Sequence, residues 1–216
     1  MATDRALLDS METIDGPCFR HYQWEKPVWS FGYSQRLHEV CSTLNQPLSS
    51  NNLVRRPTGG GIVDHTNDWT YTLALPAHHA LAQSKAATSY QAIHQAITNA
   101  LQSIHIAANL SPCLCGESRK PGVCFKEPVA YDVLGKSGKK IAGAAQKRTR
   151  AGLLIQGSID RLTLGNQEDG FHQAFIRELE TMLDAKAKPW EAPKQLLEAI
   201  DTWEKVINSK EWLHLR

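Results

Sequence analysis

The chain is predicted to be an α+β protein rather than a doubly wound parallel one. Strand-like segments fall in two clusters, Phe19 to Leu75 and Val129 to Ile159, whereas a doubly wound parallel sheet alternates each strand with a helix. A long stretch with apolar residues at helical spacing separates the clusters, and two more such stretches close the chain. The length of 216 residues, with 42% hydrophobic and 21% charged, is ordinary globular usage. It suffices for a real core, and a single domain over residues 1–216 is expected.

Asp4 to Met11 reads as a short helix. From Phe19 to Tyr33, aromatic and β-branched residues broken by Glu25-Lys26-Pro27 read as two short strands around a turn. Val54 to Arg56 is a strand entering the turn Pro57-Thr58-Gly59-Gly60-Gly61, and Trp69 to Leu75, with Trp69, Tyr71, Leu73 and Leu75 alternating, is the strand leaving it. Tyr90, Ile93, Ile97, Leu101 and Ile104 make one apolar stripe, which predicts a helix from Ala80 to Ile106. A Cys/Gly/Pro-rich loop, Ser111 to Phe125, leads into Val129 to Leu134, the turn Gly135-Lys136-Ser137-Gly138, Lys140 to Gln146 and Gly152 to Ile159, a β-meander. Helices are expected at Phe171 to Leu183 and Pro193 to Asn208.

No apolar run approaches the roughly 20 residues of a membrane span, and the start lacks the apolar core of a signal peptide, so a cytoplasmic protein with no membrane partner is expected. The five cysteines make an odd count, which suits free thiols in a reducing compartment rather than a disulfide framework. Cys113, Cys115 and Cys124 have no fourth ligand at zinc spacing, and no metal site is expected. Formal net charge is only +2, but Glu117 to Arg150 carries nine basic residues against three acids. That segment is either a solvated hairpin or a landing surface for phosphate groups or an acidic protein. No nucleic-acid partner is expected, and a monomer is.

Arg55-Arg56-Pro57-Thr58-Gly59-Gly60-Gly61 joins two guanidinium groups to consecutive glycines. Glycines in a row are expected where the backbone takes positive φ or approaches another group closely. The segment is either a tight turn or a site for a carboxylate or phosphate. It is neither a Walker loop nor a dinucleotide fingerprint, because the following Gly-Lys-Ser/Thr and the Gly-x-Gly-x-x-Gly spacing are absent. In Lys139-Lys140-Ile141-Ala142-Gly143-Ala144-Ala145-Gln146, alternation sends Lys140, Ala142, Ala144 and Gln146 to one face and Ile141, Gly143 and Ala145 to the other. Cys124 is either an inert, half-buried thiol or, with Lys126, Lys139 and Lys140 near in sequence or across the hairpin, a nucleophile whose thiolate those cations favour. Asp64 and His65 follow the glycine loop and are placed at the same pocket, whereas His21, His78, His79, His94 and His172 are read as surface or core-edge residues, and Trp24 and Trp29 as sheet packing. Neither a Gly-x-Ser-x-Gly nor a His-Glu-x-x-His motif is present, so hydrolase and zincin chemistry is unsupported.

These stretches resemble the biotin/lipoate ligase and octanoyltransferase superfamily. The matching segments are Asp4 to Leu8, Trp29-Ser30-Phe31-Gly32-Tyr33-Ser34-Gln35, Arg55 to Gly61 with His65, Lys140 to Gln146, Leu153 to Ile159 and, more weakly, Ser209 to Trp212. The resemblance implies a central mixed or antiparallel sheet flanked by helices, and an acyl pocket between the glycine loop and the lysine strand. Acyl-binding residues would then be Arg55, Arg56, Thr58, Gly59, Gly60, Gly61, His65, Tyr71, Gly143, Ala145, Gly157 and Ser158. A biotin substrate is disfavoured, because Arg56-Pro57-Thr58-Gly59-Gly60-Gly61 replaces the Gly-Arg-Gly-Arg type of loop. The cysteine-dependent octanoyltransferase branch is similar in Val123-Cys124-Phe125, Pro128, Tyr131 and the His65 to Tyr71 stretch. It implies catalysis by Cys124, as an acyl thioester, and Lys140, with no cofactor. The donor would be an acyl-carrier protein, and the acceptor a lysine of a lipoyl domain or a glycine-cleavage H-type carrier. The alternative is an ATP- and Mg²⁺-dependent lipoate–protein ligase working through lipoyl-adenylate on free lipoate, with Cys124 a bystander. The larger ligases carry a C-terminal accessory domain, for which 216 residues leave no room.

Overall fold

The computed structural model describes residues 1–14, 16–45, 52–112 and 129–215. The chain runs α1 (Ala2–Asp9), β1 (Cys18–Tyr22), β2 (Trp29–Phe31), α2 (Leu37–Leu44), β3 (Leu53–Arg55), β4 (Val63–Asp64) and β5 (Asp68–Pro76). It continues through α3 (Ala80–Gln83), α4 (Ala86–Ser103), β6 (Ala108–Leu110), β7 (Val133–Gly135), β8 (Lys140–Arg148) and β9 (Gly152–Asp160), and ends with α5 (Arg161–Leu164), α6 (Glu168–Leu183), α7 (Lys194–Ile207) and α8 (Lys210–Leu213).

Among the described residues, six strands form one sheet in the order β1-β5-β9-β8-β7-β6, every neighbour antiparallel. A smaller mixed sheet, β3-β2-β4, pairs β2 parallel to β3 and antiparallel to β4. The α+β reading and the mixed or antiparallel sheet therefore hold. Along β5 the alternation is clean: Trp69, Tyr71, Leu73 and Leu75 join Ile155 and Ile159 of β9 in a core covered by Ile93, Ile97 and Leu101 of α4 and Phe171 and Phe175 of α6. The opposite face receives α1, whose Ala6, Leu7 and Leu8 pack with Met11 on Ala74 and Leu154, and α7 covers α1 through Leu196. Asp4 ties α1 to the sheet, accepting from Arg20 at 2.7 Å and from Gln156 at 2.7 Å. Burial pushes the Asp4 carboxyl up, but the Met1 amino group and Arg20 outweigh it and hold the carboxyl below its ordinary value.

Several elements depart from the sequence reading. The long helix is broken at Ser84-Lys85: Ser84 Oγ donates back to the Leu81 carbonyl at 2.9 Å, the local bond by which serine competes with helix propagation. Its far end closes before Ile106, because His105 takes φ 65° while Ile106 N–H reaches Leu101 O and His105 N–H reaches Gln102 O, a Schellman closure. The two strands expected around Glu25-Lys26-Pro27 do not pair with each other, since β1 joins the large sheet and β2 the small one. The segment after the glycine loop first forms β4 against β2, and only then β5. The strand expected from Val129 begins only at Val133, and α2 and β6 were not foreseen.

Candidate functional site

A cavity partly open to solvent lies between the glycine loop and the large-sheet face opposite α4 and α6. Arg56, Gly60 and His65 line it from the loop side; Thr70, Gly143, Ala145, Gly157 and Ser158 line it from the sheet. The lining is mostly small or apolar, with few polar groups, which suits an aliphatic ligand with one polar end.

The loop is held by close packing and by Arg56. Gly60 has φ 86°, the left-handed region that favours glycine. A Cβ on Gly32, in the turn after β2, would lie 2.1 Å from the Gly60 carbonyl oxygen, so the loop can close here only over a bare backbone. Arg56 Nη2 donates to the carbonyls of Gly59 at 3.0 Å and Gly61 at 2.7 Å, and its Nη1 to Ser30 Oγ at 2.6 Å. Ser30 Oγ lies 2.5 Å from His65 Nε2, and His65 Nδ1 lies 2.6 Å from Asp68 Oδ2. The same carboxylate oxygen accepts from Thr70 and Ser158 on the cavity wall. A continuous buried chain of hydrogen bonds therefore joins the loop to the sheet, with the Trp24 ring stacked on His65 at 4.5 Å.

Lys140 opens β8 and is buried at 3% exposure, with Nζ 2.8 Å from Oδ2 of the fully buried Asp132. A Cβ on Gly143 would lie 2.6 Å from Nζ, so the ammonium group rests directly on the glycine that lines the cavity. Simple alternation put Lys140 and Gly143 on opposite faces, and that expectation is overturned. Val133 pairs with Ala142 but Leu134 with Lys140, so two steps along β8 answer one along β7. This bulge at Ile141 turns Lys140 onto the Gly143 side.

His94 was read as a surface or core-edge histidine; instead it is fully buried, with Nδ1 2.8 Å from the Tyr131 carbonyl and Nε2 without a hydrogen-bond partner among the described residues. Burial, and then the positive charge of Lys140, push its imidazole down to about 3. It is neutral at physiological pH.

The structure thus brings together Arg56, Gly60, His65, Gly143, Ala145, Gly157 and Ser158. Gly59 and Gly61 serve through their carbonyls, and Thr58 donates at 2.8 Å to Oε1 of Gln156, which lines the cavity. Two residues expected at the acyl site are placed elsewhere. Arg55 is fully buried, donating to the carbonyls of Tyr33, Gln35, Trp212 and Leu213, and clamps α8 to the small sheet. Tyr71 lies in the core against Phe175, its ring filling the space where a Gly157 side chain would stand, and burial raises its hydroxyl. Asp64 is exposed. Cys124, with Cys113 and Cys115, lies outside the described residues. Of the basic segment's described members, Lys136, Lys139 and Arg150 are exposed, whereas Lys140 pairs with Asp132 and Arg148 reaches the carbonyl of Ala82.

Ser30, Asp68, Tyr90 and Asp132 were not singled out from the sequence. The available signal was an acid embedded in an apolar strand pattern, at Asp68 before Trp69 and at Asp132 before Val133-Leu134. Among the described residues no group of three or more His, Cys, Asp or Glu side chains could hold a metal ion, and no helix is long and apolar enough to cross a membrane. Burial raises the thiols of Cys18 and Cys41, Cys18 to about 11, which disfavours thiolate at either.

Against proteins of known sequence, the chain is 35% identical over 162 residues to the octanoyltransferase LipM of Oceanobacillus iheyensis, covering 74% of this chain and 58% of that protein. It is 34% identical over 167 residues to LipM of Staphylococcus aureus, covering 74% and 60%. The chain therefore matches about three fifths of the length of these relatives. With LipM of Macrococcus caseolyticus the match is 26% over the whole of this chain and 94% of the relative. Among solved structures, a lipoate-protein ligase A bound with ATP superposes with TM-score 0.75 at 19% identity, covering 99% of this chain and 92% of that one. The bi-partite lipoate protein ligase of Thermoplasma acidophilum, described with its E2 lipoyl domain, gives 0.72 at 17%, covering 100% and 91%. At these identities the likeness is one of fold. The lipoyl protein ligase A/B catalytic domain matches residues 1–186, and the chain belongs to that family.

Proposed function

We propose that the chain is an octanoyltransferase that carries an octanoyl group, or its lipoyl counterpart, from an acyl-carrier thioester to the ε-amine of one lysine on a lipoyl carrier domain. The observation that carries this reading is the buried Lys140 ammonium held against Gly143 on the wall of a largely apolar cavity. The relatives named octanoyltransferase support it, as does Cys124, 16 residues before Lys140 in sequence (140 − 124).

In the first half-reaction the Cys124 thiolate attacks the donor's thioester carbonyl. The new S–C bond forms, the donor's S–C bond breaks, and the donor sulfur leaves as a thiolate that takes up a proton. In the second, the acceptor lysine's neutral amine attacks the Cys124 thioester. An amide forms, Cys124 leaves as thiolate, and the amine's proton passes to it or to water. One thioester is consumed and one amide made, so the chemistry balances without ATP. Lys140 is the cation beside which thiolate and developing oxyanion are stabilised, and the Arg56-braced loop closes the acyl pocket. Exposed Lys136, Lys139 and Arg150 offer positive charge to an acidic carrier.

The test is to incubate the protein with octanoyl-acyl-carrier protein and a lipoyl domain, without nucleotide, and to weigh the domain. An octanoyl increment without ATP is expected. Modification only with free lipoate or octanoate and Mg-ATP would establish the adenylate-forming ligase instead.

A further inference from the structure

We propose that Tyr90 and Asp132 are positioning residues for Lys140, fixing its ammonium group against Gly143, which lines the cavity. The proposal rests on the reading of Lys140 as the cation beside the acyl thioester. A lysine side chain loses much rotamer freedom when its end is fixed, so a fixed Nζ requires something that holds it. Here Asp132 does so, and the carboxylate is itself held at both oxygens. Oδ2 accepts from the Val129 N–H at 2.7 Å as well as from Lys140, and Oδ1 accepts from Tyr90 Oη at 2.5 Å. Tyr90 Oη in turn accepts from the Ala144 N–H at 3.2 Å. Among the described residues β7 pairs with β8 only as far as Ala142, and beyond that point the α4 hydroxyl of Tyr90 takes the Ala144 N–H.

The network therefore closes on itself: the strand that starts at Lys140 carries Ala144, which sets Tyr90, which sets Asp132, which sets Lys140 Nζ over Gly143. The backbone shows the same aim. Tyr131, immediately before Asp132, has φ 67°, a conformation that is strained for a bulky residue and persists where the surroundings impose it. Its carbonyl is bonded to the neutral His94 imidazole of α4. A salt bridge serving stability alone needs neither the second carboxylate oxygen tied to the strand nor a strained residue before it.

The experiment is single-turnover acylation of the intact protein by octanoyl-acyl-carrier protein, followed by mass, for Tyr90→Phe, Asp132→Asn, Asp132→Glu and Lys140→Ala, each with a melting curve. Tyr90→Phe removes one oxygen and is expected to melt near wild type while the maximal acylation rate falls about ten-fold and half-saturation stays within about two-fold. Asp132→Asn is expected to lose about a hundred-fold, with part recovered in Asp132→Glu, which keeps the charge. Should Asp132→Asn fail to fold, Tyr90→Phe decides. The proposal is overturned if folded Tyr90→Phe acylates at the wild-type rate, or if its loss lies in half-saturation alone, while Lys140→Ala is inactive. A Lys140→Ala protein that acylates normally would remove the functional reading itself and the proposal with it.

Discussion

Arg55 and Arg56 are neighbours in sequence and perform separate tasks. Strand geometry sends successive side chains to opposite sides, so one guanidinium enters the clamp on α8 and the other the cavity loop. Arg55 donates to four carbonyls in a planar fork that lysine cannot reproduce. Arg55→Lys is accordingly expected to cost roughly 2 to 4 kcal/mol of unfolding free energy, read from urea titration, while the ATP-free acylation rate of the folded fraction is unchanged. A loss of acylation with normal stability would put Arg55 at the substrate after all. The pair itself was legible in the sequence, as were the glycines and His65. Which arginine faces the cavity was not, because the partners of Arg55 lie as far as 158 residues away, at Leu213.

At the scale of elements, periodicity located the strands and helices that pack on the core, since β5, β9, α4 and α6 each bury a regular stripe. It failed where a local bond or an irregularity overrides the period: the Ser84 hydroxyl splits α3 from α4, and the bulge at Ile141 moves Lys140 to the other face. The segment Leu37 to Leu44 carried helical spacing at Leu37, Val40, Cys41 and Leu44, a signal visible in the sequence but short. Helix α4 also sets a pH dependence through His94. An ordinary histidine gains its proton near 6.5, but here burial holds it neutral to about 3, so between these values the unfolded chain binds a proton that the fold refuses. Stability from this group is complete above pH 6.5 and falls by up to about 1.4 kcal/mol per pH unit toward pH 3. His94→Asn keeps a donor for the Tyr131 carbonyl but cannot be protonated in this range. Its stability deficit relative to wild type is therefore expected to shrink as the pH of the urea titration is lowered from 7 to 4; a deficit constant with pH would show that His94 is not held neutral by the fold.

Over the whole molecule, the large sheet serves two purposes on its two faces. One face is closed by α4 and α6 into an aromatic and aliphatic core, and the other stays bare enough, at Gly143 and Ala145, for the glycine loop to enclose a cavity. The Thr58–Gln156 bond and the Arg56–Ser30–His65–Asp68 chain hold the loop there. The resemblance to the lipoate ligase superfamily, carried by the glycine loop and the lysine strand, implied this meeting of loop and strand; the buried carboxylates that brace it are single residues inside ordinary strand patterns and stood out only in three dimensions. The central claim is covalent catalysis by Cys124, and the most direct measurement is the intact mass of wild type and Cys124→Ala after incubation with octanoyl-acyl-carrier protein in the absence of ATP. The expected result is an octanoyl increment on wild type that hydroxylamine removes, and none on Cys124→Ala. An unmodified wild-type protein, or a Cys124→Ala variant that still transfers octanoyl to a lipoyl domain at the full rate, would contradict the thioester route.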